Sequence, residues 1–445
     1  MEVFEHLEQI RDQLQVRKER AVLVGVVLKS NRLPGDNLAE LTALAETAGA
    51  IIVDRFIQKL SRATPGTYIG SGKAEMLRDR VAHFKADVVI FDNDLSPGQI
   101  RELEKIVNAK VLDRSELILD IFATRARTRQ ARLQVELAQL QYTYPRLTRM
   151  WSHLDTVTGA AGAGAVGAAG GIGTRGTGEK QLEIDRRIVS KRITELKSEL
   201  ADIDRRKLRE IAGRKDMFKI CLVGYTNAGK STLMNALTDA GVFVEDRLFA
   251  TLDTRTRKWA IEPGADVLLS DTVGFVNHLP HHLVASFKAT LEEAVNADLL
   301  IHVVDASSDA LFEQMKSVKA VLRDIGCAAK ETIVVFNKAD VIRNRATLES
   351  AQTVHPDAIC LSARSGMNID ILTQRVLARY RGGEVRVRVE SSAGNGRLQS
   401  FLRSHARIMR EEYNDDNVLL EARLGPAQLV MLRKLDPGSI EVLGD

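Results

Sequence analysis

The residues with the clearest chemical potential form the string GYTNAGKS, from Gly224 to Ser231. The string matches the pattern G-x-x-x-x-G-K-S and follows an apolar run at 218–223 that predicts a buried strand. The residues after it, 232–237, predict the start of a helix. A strand, a glycine turn and a helix N-terminus together point backbone N–H groups at a polyphosphate. In this interpretation Lys230 reaches the β- and γ-phosphates, and the Ser231 hydroxyl binds Mg²⁺.

A second polar string, NKAD from Asn337 to Asp340, follows the apolar run 332–336, which also predicts a buried strand. Ligands of open α/β sheets bind at the carboxyl ends of the strands. A carboxylate at Asp340 can accept hydrogen bonds from both N1–H and the 2-amino group of guanine, whereas adenine would leave it desolvated and unpaired. The string is weak alone, but its position after a phosphate-binding loop predicts that the nucleotide is GTP.

Two further strings fit loops that contact a nucleotide. The strand predicted at 267–270 ends in DTVG, where Asp271 would hold the Mg²⁺ shell through water and the Gly274 N–H would meet the γ-phosphate. Farther along the chain, Ser362–Arg364 fits the last loop around guanine, and the Ala363 N–H would contact guanine O6.

The first switch loop is predicted at 249–253. Thr251 is the expected second protein ligand of Mg²⁺ beside Ser231, with Thr254 and Thr256 as rivals. The groups predicted to act in hydrolysis are Lys230, Thr251, Gly274 and Asn227. The complete set of predicted nucleotide-binding residues is Gly224, Tyr225, Thr226, Asn227, Ala228, Gly229, Lys230, Ser231, Phe249, Ala250, Thr251, Leu252, Asp253, Asp271, Thr272, Val273, Gly274, Asn337, Lys338, Ala339, Asp340, Ser362, Ala363 and Arg364.

The glutamine that many GTPases use in hydrolysis is replaced in this sequence. A glutamine after the D-x-x-G string commonly orients the attacking water, and Phe275 stands in that position. Hydrolysis should therefore be slow unless another group or a partner positions the water. Asn227 has two interpretations, a ligand of a K⁺ ion near the phosphates or a brace for the switch loop. The histidines at 278, 281 and 282 lack cysteine or spaced carboxylate partners, so a polar loop is favoured over a metal site.

Composition indicates a cytoplasmic protein that can build several cores. The chain has 445 residues, 44% of them hydrophobic and 27% charged, and a formal net charge of +4. No apolar stretch approaches the roughly 20 residues of a membrane span. The N-terminus lacks a signal-peptide pattern. A monomer is expected.

The elements around the strings predict a multidomain α/β protein. The G domain should have a mixed, mostly parallel sheet. The four predicted domains are 1–123, a small α/β domain; 124–215, a basic antiparallel helical hairpin with a glycine-rich loop at 159–178; 216–383, the G domain; and 384–445, a small α+β domain.

The first domain alternates strand and helix patterns, which favours parallel strands. Gly70–Lys73 invites a phosphate-loop interpretation, but it lacks the four-residue spacer and the Ser or Thr after the lysine, so a helix-starting turn is favoured. The predicted strands are 21–28, 50–53, 87–91 and 110–112, and the predicted helices lie near 37–48, 73–84 and 97–107.

The hairpin is predicted from two long helical segments, one from Arg114 to about Tyr144 and one from Glu179 to about Arg214. The second carries a heptad-like apolar seam. The glycine tract between them is either a flexible linker or a narrow tip that enters an RNA-walled cavity. Many arginines and lysines flank the hairpin, which indicates either RNA binding or a solvated charged surface. They are Arg125, Arg127, Arg129, Arg132, Arg146, Arg149, Arg186, Arg187, Lys191, Arg192, Lys197, Arg205, Arg206 and Lys207.

The last domain shows a strand pattern at 385–389, a helical pattern at 397–412 and a second strand pattern at 417–424. This order predicts a small α+β unit. Its partner cannot be read from these residues, although a second ribosomal contact is a reasonable expectation.

Several long strings together resemble the HflX family of GTPases over about residues 15–380. They are FDNDLSPGQIRELE, DRSELILDIFATRARTRQARLQVELAQLQYTYPRL, GGIGTRGTGEKQLEIDRR, FATLDTRTR and DTVGFVNHLPHHLVASF. The resemblance implies a GTPase that binds the large ribosomal subunit and splits or rescues stalled ribosomes, notably in heat stress, with ribosome-stimulated hydrolysis. It also implies Ser231 and Thr251 as Mg²⁺ ligands. Some relatives bind ATP through the N-terminal domain. The alternative is a ribosome-assembly GTPase that acts on immature large subunits.

Overall fold

The computed structural model describes most of the chain, in two compact units. The first unit comprises residues 1–204, 247–252 and 278–288, and the second comprises 205–246, 253–277 and 289–445. The two units do not test the predicted four-domain division, which stays a proposal. Among the described residues, no helix combines the length and apolarity needed to cross a membrane. The described residues are 18–28, 38–146, 177–212, 217–238, 248–249, 254–262, 265–276, 288–342, 344–382, 385–414 and 416–443.

The first unit contains a four-stranded parallel sheet in the order β2-β1-β3-β4. The parallel strands and their helices match the prediction, except that the second strand runs on to Leu60. Gly70 is the residue before a helix, and the Lys73 ammonium lies 5.7 Å from the centre of the Phe56 ring, as expected of a helix-starting turn. The elements are β1 Arg20–Leu28, α1 Ala39–Ala48, β2 Ile51–Leu60, α2 Ser71–Phe84, β3 Val88–Phe91, α3 Pro97–Val107 and β4 Lys110–Leu112.

The prediction of one continuous helix from Arg114 to Tyr144 is wrong. The structure has two helices, α4 Arg114–Arg125 and α5 Arg129–Thr143. Backbone at Ala126 and Thr128 is extended, and the Thr128 side chain accepts a hydrogen bond from the Ala131 N–H at 3.1 Å. A threonine in this position caps a new helix, which is why the chain turns here.

The third helix of this region, α6 Thr177–Ala212, packs against α5 through an apolar seam that includes Leu137 and Leu196. Two ion pairs fix the direction of the helices, because Arg129 meets Glu199 while Arg192 meets Glu136. The later residue on α5 pairs with the earlier residue on α6, so the two helices run in opposite directions. The predicted antiparallel pairing is confirmed. The glycine tract up to residue 176 lies outside the described residues.

The second unit contains a six-stranded sheet in the order β10-β9-β8-β5-β7-β6, in which only β6 is antiparallel to its neighbour. The carboxyl ends of the parallel strands therefore meet at one edge. The elements are β5 Phe218–Gly224, α7 Lys230–Thr238, β6 Arg255–Glu262, β7 Ala265–Asp271, α8 Lys288–Val295, β8 Leu299–Asp305, α9 Leu311–Asp324, β9 Thr332–Asn337, α10 Arg345–Val354, β10 Ile359–Cys360 and α11 Ile369–Arg381.

A separate antiparallel sheet, in the order β12-β13-β11-β14, ends the chain. The prediction of a helix over 397–412 is wrong beyond His405, because residues from Arg407 onward form a strand. That strand is mostly exposed on both faces, so it lacks the alternation that marks a strand in sequence. The elements are β11 Val385–Ser392, α12 Gly396–His405, β12 Arg407–Asn414, β13 Asn417–Leu424, α13 Pro426–Arg433 and β14 Ser439–Leu443.

Candidate nucleotide-binding site

The loop between β5 and α7 requires glycine at two positions. A Cβ on Gly224 would lie 2.2 Å from the Val303 carbonyl oxygen, so no side chain fits. Gly229 has φ +91° and a Cβ there would lie 2.3 Å from Asn337 Nδ2. Asn227 also has a left-handed φ of +60°, which asparagine tolerates better than most residues. These constraints curl the backbone tightly before α7 begins at Lys230.

Lys230 is 6% exposed, and its ammonium folds back over the loop. Nζ donates hydrogen bonds to the carbonyl oxygens of Gly224 at 3.2 Å and Tyr225 at 3.0 Å. Burial lowers the pKa of Lys230 to about 8, and the nearby Asp271 carboxylate opposes that shift only in part. A buried, incompletely balanced cation in a glycine loop attracts an anionic ligand.

Ser231 and Asp271 are brought together by the pairing of β5 with β7. Ser231 Oγ donates a hydrogen bond of 2.6 Å to Asp271 Oδ2, and Asp271 is fully buried. Thr272, the next residue, donates from Oγ1 to the Leu222 carbonyl oxygen at 2.7 Å, which locks the end of β7 to β5. A hydroxyl beside a carboxylate is the kind of oxygen donor set that Mg²⁺ accepts.

The segment after Asp271 lies directly against the phosphate loop. The Thr226 N–H donates to the Phe275 carbonyl oxygen at 2.7 Å, and the Phe275 N–H donates to the Gly224 carbonyl oxygen at 3.1 Å. A Cβ on Gly274 would lie 2.7 Å from Thr226 Cα and 3.0 Å from Lys230 Nζ. The backbone at Gly274 therefore lies against the phosphate loop. The predicted contact of the Gly274 N–H with the γ-phosphate stays a prediction. Phe275 itself is 2% exposed and supplies no side-chain hydrogen-bonding group.

Asn337 joins two loops that are distant in sequence. Its side-chain Nδ2 donates to the Ala228 carbonyl oxygen at 2.9 Å, and its Oδ1 accepts from the Ala363 N–H at 2.9 Å. Asn337 thus braces the phosphate loop against the Ser362–Arg364 loop, a role that sequence reasoning missed. The predicted contact of the Ala363 N–H with guanine O6 stays a prediction, and it requires that N–H to be shared or released.

The neighbouring residues of the NKAD string are arranged differently. Lys338 has a left-handed φ of +62°, and its Nζ donates to Asp305 Oδ2 at 2.6 Å. Asp305 ends β8, and sequence reasoning did not single it out. Asp340 is exposed, and it makes no hydrogen bond or ion pair with any described residue. Its carboxylate is therefore free to accept from a base.

The first switch loop is only partly described. Residues 250–253, including Thr251, and the histidines at 278, 281 and 282 lie outside the described residues. Phe249 belongs to the first unit, where it is 2% exposed and its ring meets that of Phe122 edge-on at a centroid distance of 4.5 Å.

The mostly parallel sheet, the phosphate loop and the N-K-x-D string held beside it define a P-loop GTPase. Family models match in the same order: "GTP-binding GTPase N-terminal" at 35–123, "GTP-binding GTPase Middle Region" at 125–214 and "50S ribosome-binding GTPase" at 219–338.

Curated relatives give the family. The GTPase HflX of Lacrimispora saccharolytica is 42% identical over 420 residues, which are 94% of this chain and 96% of that protein. The GTPase HflX of Escherichia coli is 38% identical over 429 residues, 96% and 98% of the two chains. The chain belongs to the HflX family of GTPases and is a GTP-hydrolysing enzyme. A solved GTP-binding protein of Sulfolobus solfataricus in complex with GDP covers 81% of this chain and 97% of its own at 25% identity, but its TM-score of 0.41 adds nothing to the assignment.

Proposed function

We propose that this GTPase binds the large ribosomal subunit in the cytoplasm and splits or rescues stalled ribosomes, notably in heat stress. Membership of the HflX family and the match of residues 219–338 to a family described as a 50S ribosome-binding GTPase support the proposal. The observation that carries it is Phe275, a buried hydrocarbon where many GTPases place a water-orienting glutamine. A site built in this way needs another group or an external partner to position the attacking water for rapid hydrolysis.

The proposed roles of the phosphate-loop residues follow from the contacts around Lys230. Phosphate oxygens would replace the Gly224 and Tyr225 carbonyl oxygens as acceptors of the Lys230 hydrogen bonds. Ser231 and Thr251 are proposed as the protein ligands of Mg²⁺, with Asp271 holding the metal's water. A bound Mg²⁺ would neutralise charge on the β- and γ-phosphates.

Two further assignments are proposals of the same kind. Asp340 reads the guanine edge, since its carboxylate is exposed and makes no hydrogen bond to the described residues. Asn227 binds K⁺ near the phosphates, and its exposed position within the phosphate loop is compatible with this role. Comparison of hydrolysis in K⁺ and Na⁺ tests the second assignment, because a loop brace would be indifferent to the cation.

The decisive experiment measures GTP turnover with and without purified large ribosomal subunits. We expect strong stimulation, with light scattering reporting GTP-dependent splitting of ribosomes in parallel. The Lys230→Ala variant serves as the inactive control, because it removes the cation from the phosphate loop. Equal turnover with and without subunits would contradict the proposal.

The glycine tract offers a second test of the same function. Deletion of residues 159–171 should leave intrinsic GTP hydrolysis intact and weaken splitting, since the tract is expected to be the tip that enters the ribosome. Unchanged splitting would remove the tip from the mechanism. If the wild-type protein instead sediments only with immature large subunits, the assembly GTPase is the correct alternative.

A further inference from the structure

The phosphate loop contains a threonine whose hydroxyl has no hydrogen-bond partner among the described residues. Thr226 is 6% exposed, and its Oγ1 atom is buried. Nearly all buried polar atoms of folded proteins have a partner, and a buried donor without one destabilises the folded state. Valine has almost the same shape and would avoid this cost. The Thr226 hydroxyl therefore needs a partner that these residues do not supply.

The sequence pattern of the loop does not require a threonine at this position. Residue 226 is one of the four open positions in G-x-x-x-x-G-K-S, because such loops bind phosphate through backbone N–H groups and the lysine. The backbone N–H of Thr226 already donates to the Phe275 carbonyl oxygen at 2.7 Å. While that bond holds, the side-chain hydroxyl is the donor that Thr226 can offer to a ligand.

The Thr226 side chain lies beside the two groups that are proposed to contact the γ-phosphate. Thr226 Cγ2 is 2.8 Å, and Lys230 Nζ is 3.0 Å, from the point that a Cβ on Gly274 would occupy. The threonine side chain, the ammonium and the Gly274 backbone therefore surround one small space. A γ-phosphate oxygen that binds Lys230 and Gly274 would enter the loop next to Thr226.

We propose that the Thr226 hydroxyl donates a hydrogen bond to the γ-phosphate of GTP and so helps the site to distinguish GTP from GDP. GDP has no γ-phosphate, so it leaves the hydroxyl without this partner. Hydrogen bonds to an ionised oxygen are among the stronger ones in proteins, so the difference should be measurable. The proposal rests on the phosphate contacts proposed above for Lys230 and Gly274, but it does not depend on ribosome binding.

The test compares two pairs of full-length proteins, and in each pair one protein has the hydroxyl and the other lacks it. Wild type is paired with Thr226→Val, and Thr226→Ser is paired with Thr226→Ala. Isothermal titration calorimetry with Mg²⁺ measures the dissociation constants of GDP and of a non-hydrolysable GTP analogue. Thr238→Val is the matched control, because the Thr238 hydroxyl lies on α7 and already donates to the Met234 carbonyl oxygen at 2.8 Å.

We expect loss of the hydroxyl to weaken binding of the GTP analogue about tenfold in each pair, and to change GDP binding less than about twofold. Thr238→Val should leave both dissociation constants unchanged. Without nucleotide, Thr226→Val should melt at or above the wild-type temperature, because it removes a buried hydroxyl that lacks a partner. If Thr226→Val does not fold, the serine and alanine variants carry the test.

Equal weakening of both nucleotides within the pairs would overturn the proposal, because the hydroxyl would then act on a group that GTP and GDP share. Unchanged affinities, or a clear loss of thermal stability in nucleotide-free Thr226→Val, would also overturn it. Lys230→Ala should still abolish GTP binding in these outcomes, so the proposed role of the lysine is tested separately. Stimulation of the wild-type protein by large subunits is measured in its own assay, so failure at Thr226 leaves the proposed function unaffected.

Discussion

Replacement of Lys230 by methionine should stabilise the nucleotide-free protein while it abolishes GTP binding. Methionine is similar in length and carries no charge, so it can take the buried position of the Lys230 side chain without the cost of desolvating a charge. The carbonyl oxygens that lose the ammonium keep other donors, because Gly224 also accepts from the Phe275 N–H and Tyr225 accepts from the Ala228 N–H. The substitution therefore leaves neither carbonyl oxygen without a partner.

The magnitude follows from the pKa of Lys230, which burial lowers from 10.5 to about 8. Below pH 8 the unfolded chain holds this proton more tightly than the folded chain, and the difference costs the folded state about 3 kcal/mol. The cost decreases as pH rises from 8 and disappears near 10.5. Phosphate groups would remove it by supplying the missing negative charge. Methionine should therefore raise the melting temperature of the nucleotide-free protein by several degrees at neutral pH.

The assay is thermal unfolding of wild-type and Lys230→Met protein, with and without Mg²⁺-GDP, at neutral pH and again at alkaline pH. Wild-type protein should be stabilised by nucleotide, and the variant should not. The difference between the two nucleotide-free proteins should narrow as pH rises. Lys316→Met, at an exposed position on α9, is the matched control and should change little. A nucleotide-free variant that melts at or below the wild type, or a variant that GDP still stabilises, would refute the reasoning.

Three other perturbations have defined outcomes. Asp340→Asn should shift preference from GTP to XTP in a competition binding assay, and continued preference for GTP would count against the guanine assignment. Gly274→Ala should weaken GTP binding about tenfold or more, because its Cβ would lie 2.7 Å from Thr226 Cα. Titration with a fluorescent GTP analogue measures the affinity. Gly66→Ala is the control and should bind GTP normally, because a Cβ at residue 66 would have no atom within 4 Å. Burial lowers the pKa of His302 from 6.5 to about 3. Between about pH 7 and pH 5 this histidine therefore becomes protonated in the unfolded chain while it stays neutral in the folded chain. The fall in pH should lower the free energy of unfolding by about 2 kcal/mol. Urea unfolding measures that loss, and it should be smaller in His302→Leu.

The nucleotide-binding strings were predictable because each is contiguous in the chain. A phosphate loop uses the backbone of neighbouring residues, so Gly224, Gly229 and Lys230 carry their function within a few positions of one another. The order of strands and helices was predictable for the same reason, since periodicity is a local property. Local sequence patterns gave a wrong prediction in two segments. Thr128 starts a new helix inside an apparently continuous one, and β12 has the charged composition of a helix.

The sequence by itself therefore determined the class of nucleotide site and the pairing of the two long helical segments. Only the tertiary structure decided what these groups contact. Asn337 braces two loops because β9 brings it beside Ala228, which lies 109 positions away. Asp305 holds Lys338 only because β8 and β9 end at the same edge of the sheet. Arg407, Arg423 and Arg386 lie opposite one another on three neighbouring strands only because of the register of β12, β13 and β11. Such contacts depend on pairing between distant segments, and no local pattern in the chain specifies that register.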